Sequence, residues 1–226
     1  MIDMPVDAPC PRVIVTAGPT AEDIDPVRYL TNRSSGRMGV AIAEAVADGG
    51  GTPLLILGPG SAAPPPGITV VRVRSAENMR DAVLTNLPRA EALVMAAAVA
   101  DYTPAEPLAT KLKKSDGDLY LRLRRTPDIL REVAASGMTA NKFICGFSLD
   151  VGRNRAEAER KLREKDLDMI VANATGSFGG DEIAALLLFR DGVEVEMGLQ
   201  GKEALAKEIV IRIRAHIEDS QGRVFA

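Results

Sequence analysis

Short apolar runs rich in β-branched residues alternate with segments of helical period along most of this chain, and that alternation restricts its fold more than any other feature. Arg12–Ala17 and Thr52–Leu57 read as strands, and further strand-like runs lie at 68–74, 92–98, 143–147 and 168–172. Between the first two, residues 37–47 carry Met38, Ile42, Ala45 and Val46 at helical spacing and stop at Gly49-Gly50-Gly51. Ser75 reads as the N-cap of a second helix, with Glu77 in its first turn. The end of the chain departs from the alternation. Runs at 185–189 and 193–197 flank Arg190-Asp191-Gly192, and Asp-Gly is a strong hairpin signal. Residues 202–217 then form an amphipathic helix on Leu205, Ile209, Ile213 and Ile217. The expected architecture is α/β: a Rossmann-like, doubly wound, mostly parallel sheet with a C-terminal antiparallel hairpin. Residues 1–11, which contain three prolines, are expected to be a disordered lead-in, and 12–226 a single domain without internal repeats.

Composition narrows the chemistry. Aromatic residues make up 4% of the chain and Trp is absent, so base-stacking platforms for single-stranded nucleic acid are missing. A net charge of -3 provides no global field for nucleic acid or an anionic membrane, so any anion site must be local. No apolar run approaches the roughly 18 residues of a membrane span, and the N-terminus lacks the features of a secretory leader, so the expected location is the cytoplasm. Two cysteines, Cys10 and Cys145, make neither a disulfide framework nor a thiolate metal site, and Cys145 reads as a buried apolar thiol. His216 is the sole histidine and lies beside the apolar stripe of the last helix, where a structural role is expected. Ser-His-Asp and Cys-His nucleophilic catalysis therefore drop out. What remains is chemistry run on backbone dipoles, amides, lysines, carboxylates and a carboxylate-bound magnesium.

The ligand rim of a doubly wound sheet lies beyond the carboxyl ends of its strands. There the first strand ends in Gly18-Pro19-Thr20, and after an insertion, 21–29, the run Asn32-Arg33-Ser34-Ser35-Gly36 opens a helix. This arrangement offers backbone N–H groups and a helix N-terminus to a phosphate. It lacks the G-x-G-x-x-G of dinucleotide folds, and the polar insertion indicates more than cofactor binding. Ala96-Ala97-Ala98-Val99-Ala100-Asp101-Tyr102 leaves the sheet through small residues, with Asp101 placed either to hold Mg²⁺ for a triphosphate or to cap a helix. Lys111, Lys113 and Lys114 lie on a polar stretch that reads as a flap closing over phosphates or as a solvated loop. Thr126-Pro127-Asp128-Ile129 is a helix start. Lys161 and Lys165, four apart, share a helix face with Glu157 offsetting their repulsion, and alone they read as a solvated face.

In this order the motifs closely resemble phosphopantothenoylcysteine synthetase, the phosphopantothenate–cysteine ligase family of coenzyme A biosynthesis. The resemblance rests on Thr16-Ala17-Gly18-Pro19-Thr20, Asp25-Pro26-Val27-Arg28, Asn32-x-Ser34-Ser35-Gly36-x-Met38-Gly39, Ala97 to Tyr102, Lys111-x-Lys113-Lys114, Pro127-Asp128-Ile129 and Gly146-Phe147-Ser148-Leu149. It implies a Rossmann-like homodimer that activates the 4′-phosphopantothenate carboxylate as an acyl-nucleotide, with Mg²⁺ and usually CTP, and passes the acyl group to L-cysteine. Carried over by motif, Asn32 would hold the acyl-nucleotide carbonyl and Lys111 would reach it or the phosphates. Ser34, Ser35, Gly36, Ala97 and Ala98 would line the intermediate. Gly18, Asp101, Pro127, Asp128, Ile129, Phe147, Lys161 and Lys165 would bind the nucleotide, with Asp101 also on the metal. In bacteria such a domain often follows a flavin-dependent decarboxylase, for which this chain has no room, so no flavin is expected here and the decarboxylase is an expected partner. The same ligase using ATP, a nicotinamide oxidoreductase and a silent nucleotide-binding partner are the rival readings. Two stretches depart from the family pattern: Asp150-Val151-Gly152, where members commonly carry Glu, and 173–181.

Overall fold

The computed structural model describes residues 11–114, 117–150, 154–174 and 182–220. The expected lead-in up to residue 10, and most of the two departing stretches, lie outside the described residues. The strands are β1 (Arg12–Ala17), β2 (Ala21–Asp23), β3 (Tyr29–Thr31), β4 (Thr52–Leu57), β5 (Thr69–Arg72), β6 (Ala92–Met95), β7 (Tyr102–Pro104), β8 (Leu123–Arg125), β9 (Phe143–Asp150), β10 (Met169–Ala174), β11 (Glu182–Phe189) and β12 (Glu194–Gly201). The helices are α1 (Arg37–Asp48), α2 (Ala76–Asn86), α3 (Ile129–Ala135), α4 (Arg155–Glu164) and α5 (Lys202–Ser220).

Eight strands form one sheet in the order β12-β11-β10-β9-β6-β1-β4-β5. The six strands from β5 to β10 across that order run parallel, and β11 and β12 return antiparallel through the turn at Gly192, whose φ is 87°. Because β1 is buried on both faces, its alternation sends Val13 and Val15 into one apolar layer and Ile14 into the other. α1 and α5 cover the first layer with Ile42, Val46, Leu205, Ile209 and Ile213. α2, α3 and α4 cover the second with Met79, Val83, Val133 and Leu162. Gly39 lets α1 lie directly on β1: a Cβ there would fall 2.5 Å from the Ala17 Cβ and 2.7 Å from the Thr16 carbonyl oxygen.

The expected doubly wound sheet with its antiparallel end is the observed one. The run expected as a strand at 92–98 leaves the sheet after Met95, because its next groups bond to the β1 loop: Ala97 N–H donates to Thr16 Oγ1 (3.1 Å) and Ala98 N–H to the Gly18 carbonyl (2.9 Å). The insertion at 21–29 is not an open loop but the hairpin β2–β3. Buried Glu22 anchors it by accepting the Ala76 N–H at the start of α2 (2.8 Å). Ser75 caps α2 as expected, within a reciprocal box formed with Asn78.

Cys145 is fully buried on β9, and burial pushes its thiol well above the usual range. It is expected to resist iodoacetamide in the native protein and to be alkylated once the chain is unfolded; peptide mapping of both samples checks this. His216 is half-buried and packs edge-on against Phe143 at 5.3 Å between ring centroids, the structural role expected of it.

Candidate active site

The chain moves from β1 to β4 and β5 on one side and returns to β6, β9 and β10 on the other, so the sheet reverses direction of growth beside β1. Two adjoining cavities open at this switch point, where the carboxyl ends of β1, β6 and β9 diverge. The smaller, about 170 Å³, lies at the start of α1 and is lined by Ser34, Ser35, Gly36, Arg37 and Lys202, among others. The larger, about 860 Å³, runs from Asn32 past Asp101 and Pro127 to Lys161 and Lys165. Ala97, Ala98, Phe147 and Leu149 belong to both, so a single extended ligand can occupy the pair.

Gly36 caps α1 with φ at 85° and brings no side chain of its own to that first turn, where the Arg37 N–H donates to Ser35 Oγ at 3.4 Å. A side chain at Gly36 would strain the backbone and bring a Cβ to 3.1 Å from Gly18 N. The opening of α1 places the Met38 and Gly39 N–H groups, the partial positive end of its dipole and the cationic residues Arg37 and Lys202 around one small space. Lys202 is only 7% exposed at the start of α5 and lines the same cavity.

The larger cavity has a different composition. Its lining includes Arg33, Arg125, Lys161 and Lys165 against the two carboxylates Asp101 and Asp128. Asp128 caps α3 through the Arg131 N–H (3.2 Å) and pairs with Lys165 at 3.0 Å. Lys161 lies 3.2 Å from Ser148 Oγ and 3.5 Å from Glu157. Hydrogen bonding from Arg160, with the charges of Arg160 and Lys161, lowers the Glu157 carboxyl to about 2, so it stays ionised beside Lys161, while Lys165 is offset by Asp128 instead. Asp101 is exposed, and its carbonyl accepts the Thr126 N–H at 3.0 Å; a strand rather than a helix follows it, which removes the capping alternative. No cluster of three or more His, Cys, Asp or Glu suited to a metal occurs among the described residues.

Asn32 ties the two loops that make the rim. Its Nδ2 donates to the carbonyls of Ala98 (3.2 Å) and Val99 (3.0 Å), which uses both amide hydrogens. Holding a ligand carbonyl through Asn32 therefore means exchanging one of these bonds.

Most of the residues singled out in the sequence thus meet at this pair of cavities. Gly18 and Lys111 line neither: Gly18 lies beneath them against Gly58 and Gly36, and Lys111 is exposed on the segment after β7. Arg37, Lys202 and Ile183 in the smaller cavity, and Arg33 and Arg125 in the larger, were given no ligand role. A lysine interrupting the start of an apolar helix was the one available signal for Lys202.

Residues 10–217 match the family described as DNA/pantothenate metabolism flavoprotein C-terminal domain. The coenzyme A biosynthesis bifunctional protein CoaBC of Bacillus subtilis is 40% identical over 209 residues, covering 90% of this chain and 51% of that protein. The chain accordingly spans about half the length of the curated relatives it matches. Among solved structures, the C-terminal domain of a coenzyme A biosynthesis bifunctional protein CoaBC superposes with a TM-score of 0.79 at 35% identity, covering 92% of this chain and 96% of that one. The Cab2 mutant H337A in complex with phosphopantothenate-cysteine shares the fold, with a TM-score of 0.76 at 14% identity and coverage of 93% and 89%.

Proposed function

Because the chain belongs to the family of the DNA/pantothenate metabolism flavoprotein C-terminal domain, we propose that it is the ligase joining 4′-phosphopantothenate to L-cysteine, with CTP as the activating nucleotide. The observation that carries this reading is the pairing of two anion-suited cavities through a shared, small-residue throat at Ala97 and Ala98. One accommodates a phosphomonoester at a helix N-terminus; the other, longer and rich in cations, accommodates a nucleoside triphosphate. The ligand's carboxylate then lies between them. The names of the relatives, coenzyme A biosynthesis bifunctional proteins, support this reading.

In the first step a carboxylate oxygen of phosphopantothenate attacks the α-phosphorus of CTP, the bond to the β-phosphate breaks, and pyrophosphate leaves. In the second the cysteine amine attacks the acyl carbon, CMP leaves, and the amine proton is lost to solvent. Neither step needs a covalent enzyme nucleophile; both need alignment and charge stabilisation. The Met38 and Gly39 N–H groups of α1, with Arg37 and Lys202, hold the phosphomonoester. Lys161, Lys165 and the opening of α3 bind the nucleotide, and Phe147 walls the throat. Asn32 releases its longer bond, to Ala98, and donates that hydrogen to the acyl carbonyl, while the bond to Val99 keeps its amide in place. Lys111 closes from its loop over the developing negative charge.

A magnesium ion on a triphosphate is held largely by phosphate oxygens and water with one or two carboxylates. The exposed carboxylate of Asp101 in the larger cavity fits that requirement, whereas Asp128 is engaged by Lys165. The ion would screen phosphate charge there. A homodimeric assembly and a flavin-dependent decarboxylase as neighbouring activity belong to the same proposal, and the same ligase using ATP is its rival. No helix among the described residues is long and apolar enough to cross a membrane.

Pyrophosphate release measured with phosphopantothenate, L-cysteine and Mg²⁺, omitting each in turn and comparing CTP with ATP, tests this reading. Release that requires phosphopantothenate and is faster with CTP is expected. Folded protein that releases none with either nucleotide rules the ligase out, and absorbance change with a nicotinamide cofactor would favour the oxidoreductase instead. Lys111→Ala is expected to lower kcat by about 10²-fold with an unchanged circular dichroism spectrum. A wild-type rate would leave Lys111 as a solvated residue.

A further inference from the structure

Asp25 is one of the few buried charged residues outside the two cavities, at 2% exposure, and the reading above gives it no task. Its two carboxylate oxygens divide the work. Oδ1 accepts the N–H groups of Val27 (2.8 Å) and Arg28 (2.9 Å), closing the turn between β2 and β3. Oδ2 accepts the N–H of Leu112 (3.0 Å), a residue 87 positions away and directly after Lys111, and lies 2.9 Å from the Arg28 guanidinium. That guanidinium in turn donates to the Leu112 carbonyl, so both main-chain groups of Leu112 are held from the turn. A third tie, from the Leu108 N–H to the Ile24 carbonyl (2.9 Å), runs between the same two segments. Desolvation works against the ionised carboxyl, but the three N–H donors and Arg28 outweigh it and hold the group below the ordinary carboxylate range.

Nothing of this kind is needed to close a three-residue hairpin. A carboxylate whose second oxygen is directed at the neighbour of Lys111 sets where that lysine starts from. We infer that Asp25 is a positioning residue that ties the Lys111 segment to the β2–β3 turn, and so sets the reach of Lys111 toward the cavities. The inference rests on the ligase reading for the task of Lys111, and on geometry alone for the tie.

The division between the two oxygens supplies a selective variant. In Asp25→Asn the amide oxygen can keep the two turn bonds, while the Nδ2 group meets the Leu112 N–H and the Arg28 guanidinium, donor against donor. Leu112→Pro removes the same bond from the other side and leaves Asp25 intact. Native-state tryptic cleavage after Lys111, Lys113 and Lys114, followed by mass spectrometry well below the melting midpoint of each variant, reads the tie without reference to activity. Both variants are expected to be cut after Lys113 and Lys114 about tenfold faster than wild type, with other sites unchanged; after Lys111 the gain is expected of Asp25→Asn alone, because trypsin does not cut before proline. In the pyrophosphate assay Asp25→Asn is expected to lower kcat about tenfold with KM within about twofold, and to change the Lys111→Ala protein less than about twofold. Unchanged cleavage in both variants overturns the tie. A kcat loss that multiplies in full with that of Lys111→Ala overturns the positioning role. Wild-type protein that releases no pyrophosphate overturns the ligase reading, and cleavage then still decides the tie by itself.

Discussion

Replacing Asn32 by alanine is expected to lower ligase turnover by about 10²- to 10³-fold, the range seen when one preorganised donor to a developing oxyanion is removed. The loss is expected in kcat, with nucleotide KM within about threefold, because Asn32 is bonded to the carbonyls of Ala98 and Val99, whereas Lys161 and Lys165 bond to Ser148 and Asp128. Two effects combine. The acyl carbonyl loses its donor, and the carbonyls of Ala98 and Val99 lose the amide that holds them against the α1 side of the rim. Asn32→Asp separates them less cleanly, since a carboxylate facing two carbonyl oxygens repels both. Steady-state kinetics with CTP, together with calorimetric titration of CTP onto the variant, checks the prediction. Turnover within a few-fold of wild type removes Asn32 from the chemistry.

Gly39→Ala is expected to destabilise the fold by about 2–3 kcal/mol, at the upper end of what overpacking a core usually costs. The added Cβ would lie 2.5 Å from the Ala17 Cβ and 2.7 Å from the Thr16 oxygen, so α1 has to lift from β1. For a chain of this size that corresponds to a fall of roughly 4–12 °C in melting temperature, measurable by circular dichroism or calorimetry. The displacement reaches the site. The N-terminus of α1 forms the wall of the smaller cavity, and Gly36 is packed against Gly18. A raised KM for phosphopantothenate is therefore expected alongside the lower stability. A melting temperature equal to that of wild type would mean the α1–β1 approach is looser than these distances state.

Both residues stand in one motif, Asn32 to Gly39, yet the reasons for them differ in how far they show in the sequence. That the segment opens a helix at a phosphate-suited rim follows from local rules: a strand ending in Gly-Pro, a Ser-Ser-Gly run, then apolar residues at helical spacing. Why Gly39 must be glycine does not follow from those rules, because the contact is with β1, more than twenty positions earlier. The hairpin β2–β3 and the antiparallel pair β7–β8 were missed for a related reason. β2, β3, β7 and β8 have three residues each, too few to show a period of two, and long-range bonds such as Glu22 to Ala76 and Ala105 to Arg122 hold them in place.

The site roles of the residues from Asn32 to Lys165 came from the family resemblance, whereas the alternation of strand and helix and the position of the antiparallel return at Asp191-Gly192 were determined by sequence alone. Each depends on residue type and spacing within a few positions of itself, and backbone geometry turns such patterns into elements wherever they occur. Tertiary structure alone decided that the start of α5 returns beside the start of α1, which brings Lys202 to the smaller cavity 166 positions after Gly36. It also decided that Asp25 closes one turn and holds a segment 87 positions away. A buried charge is stable only where the fold assembles partners for it, and those partners come from chain segments that carry no local record of one another.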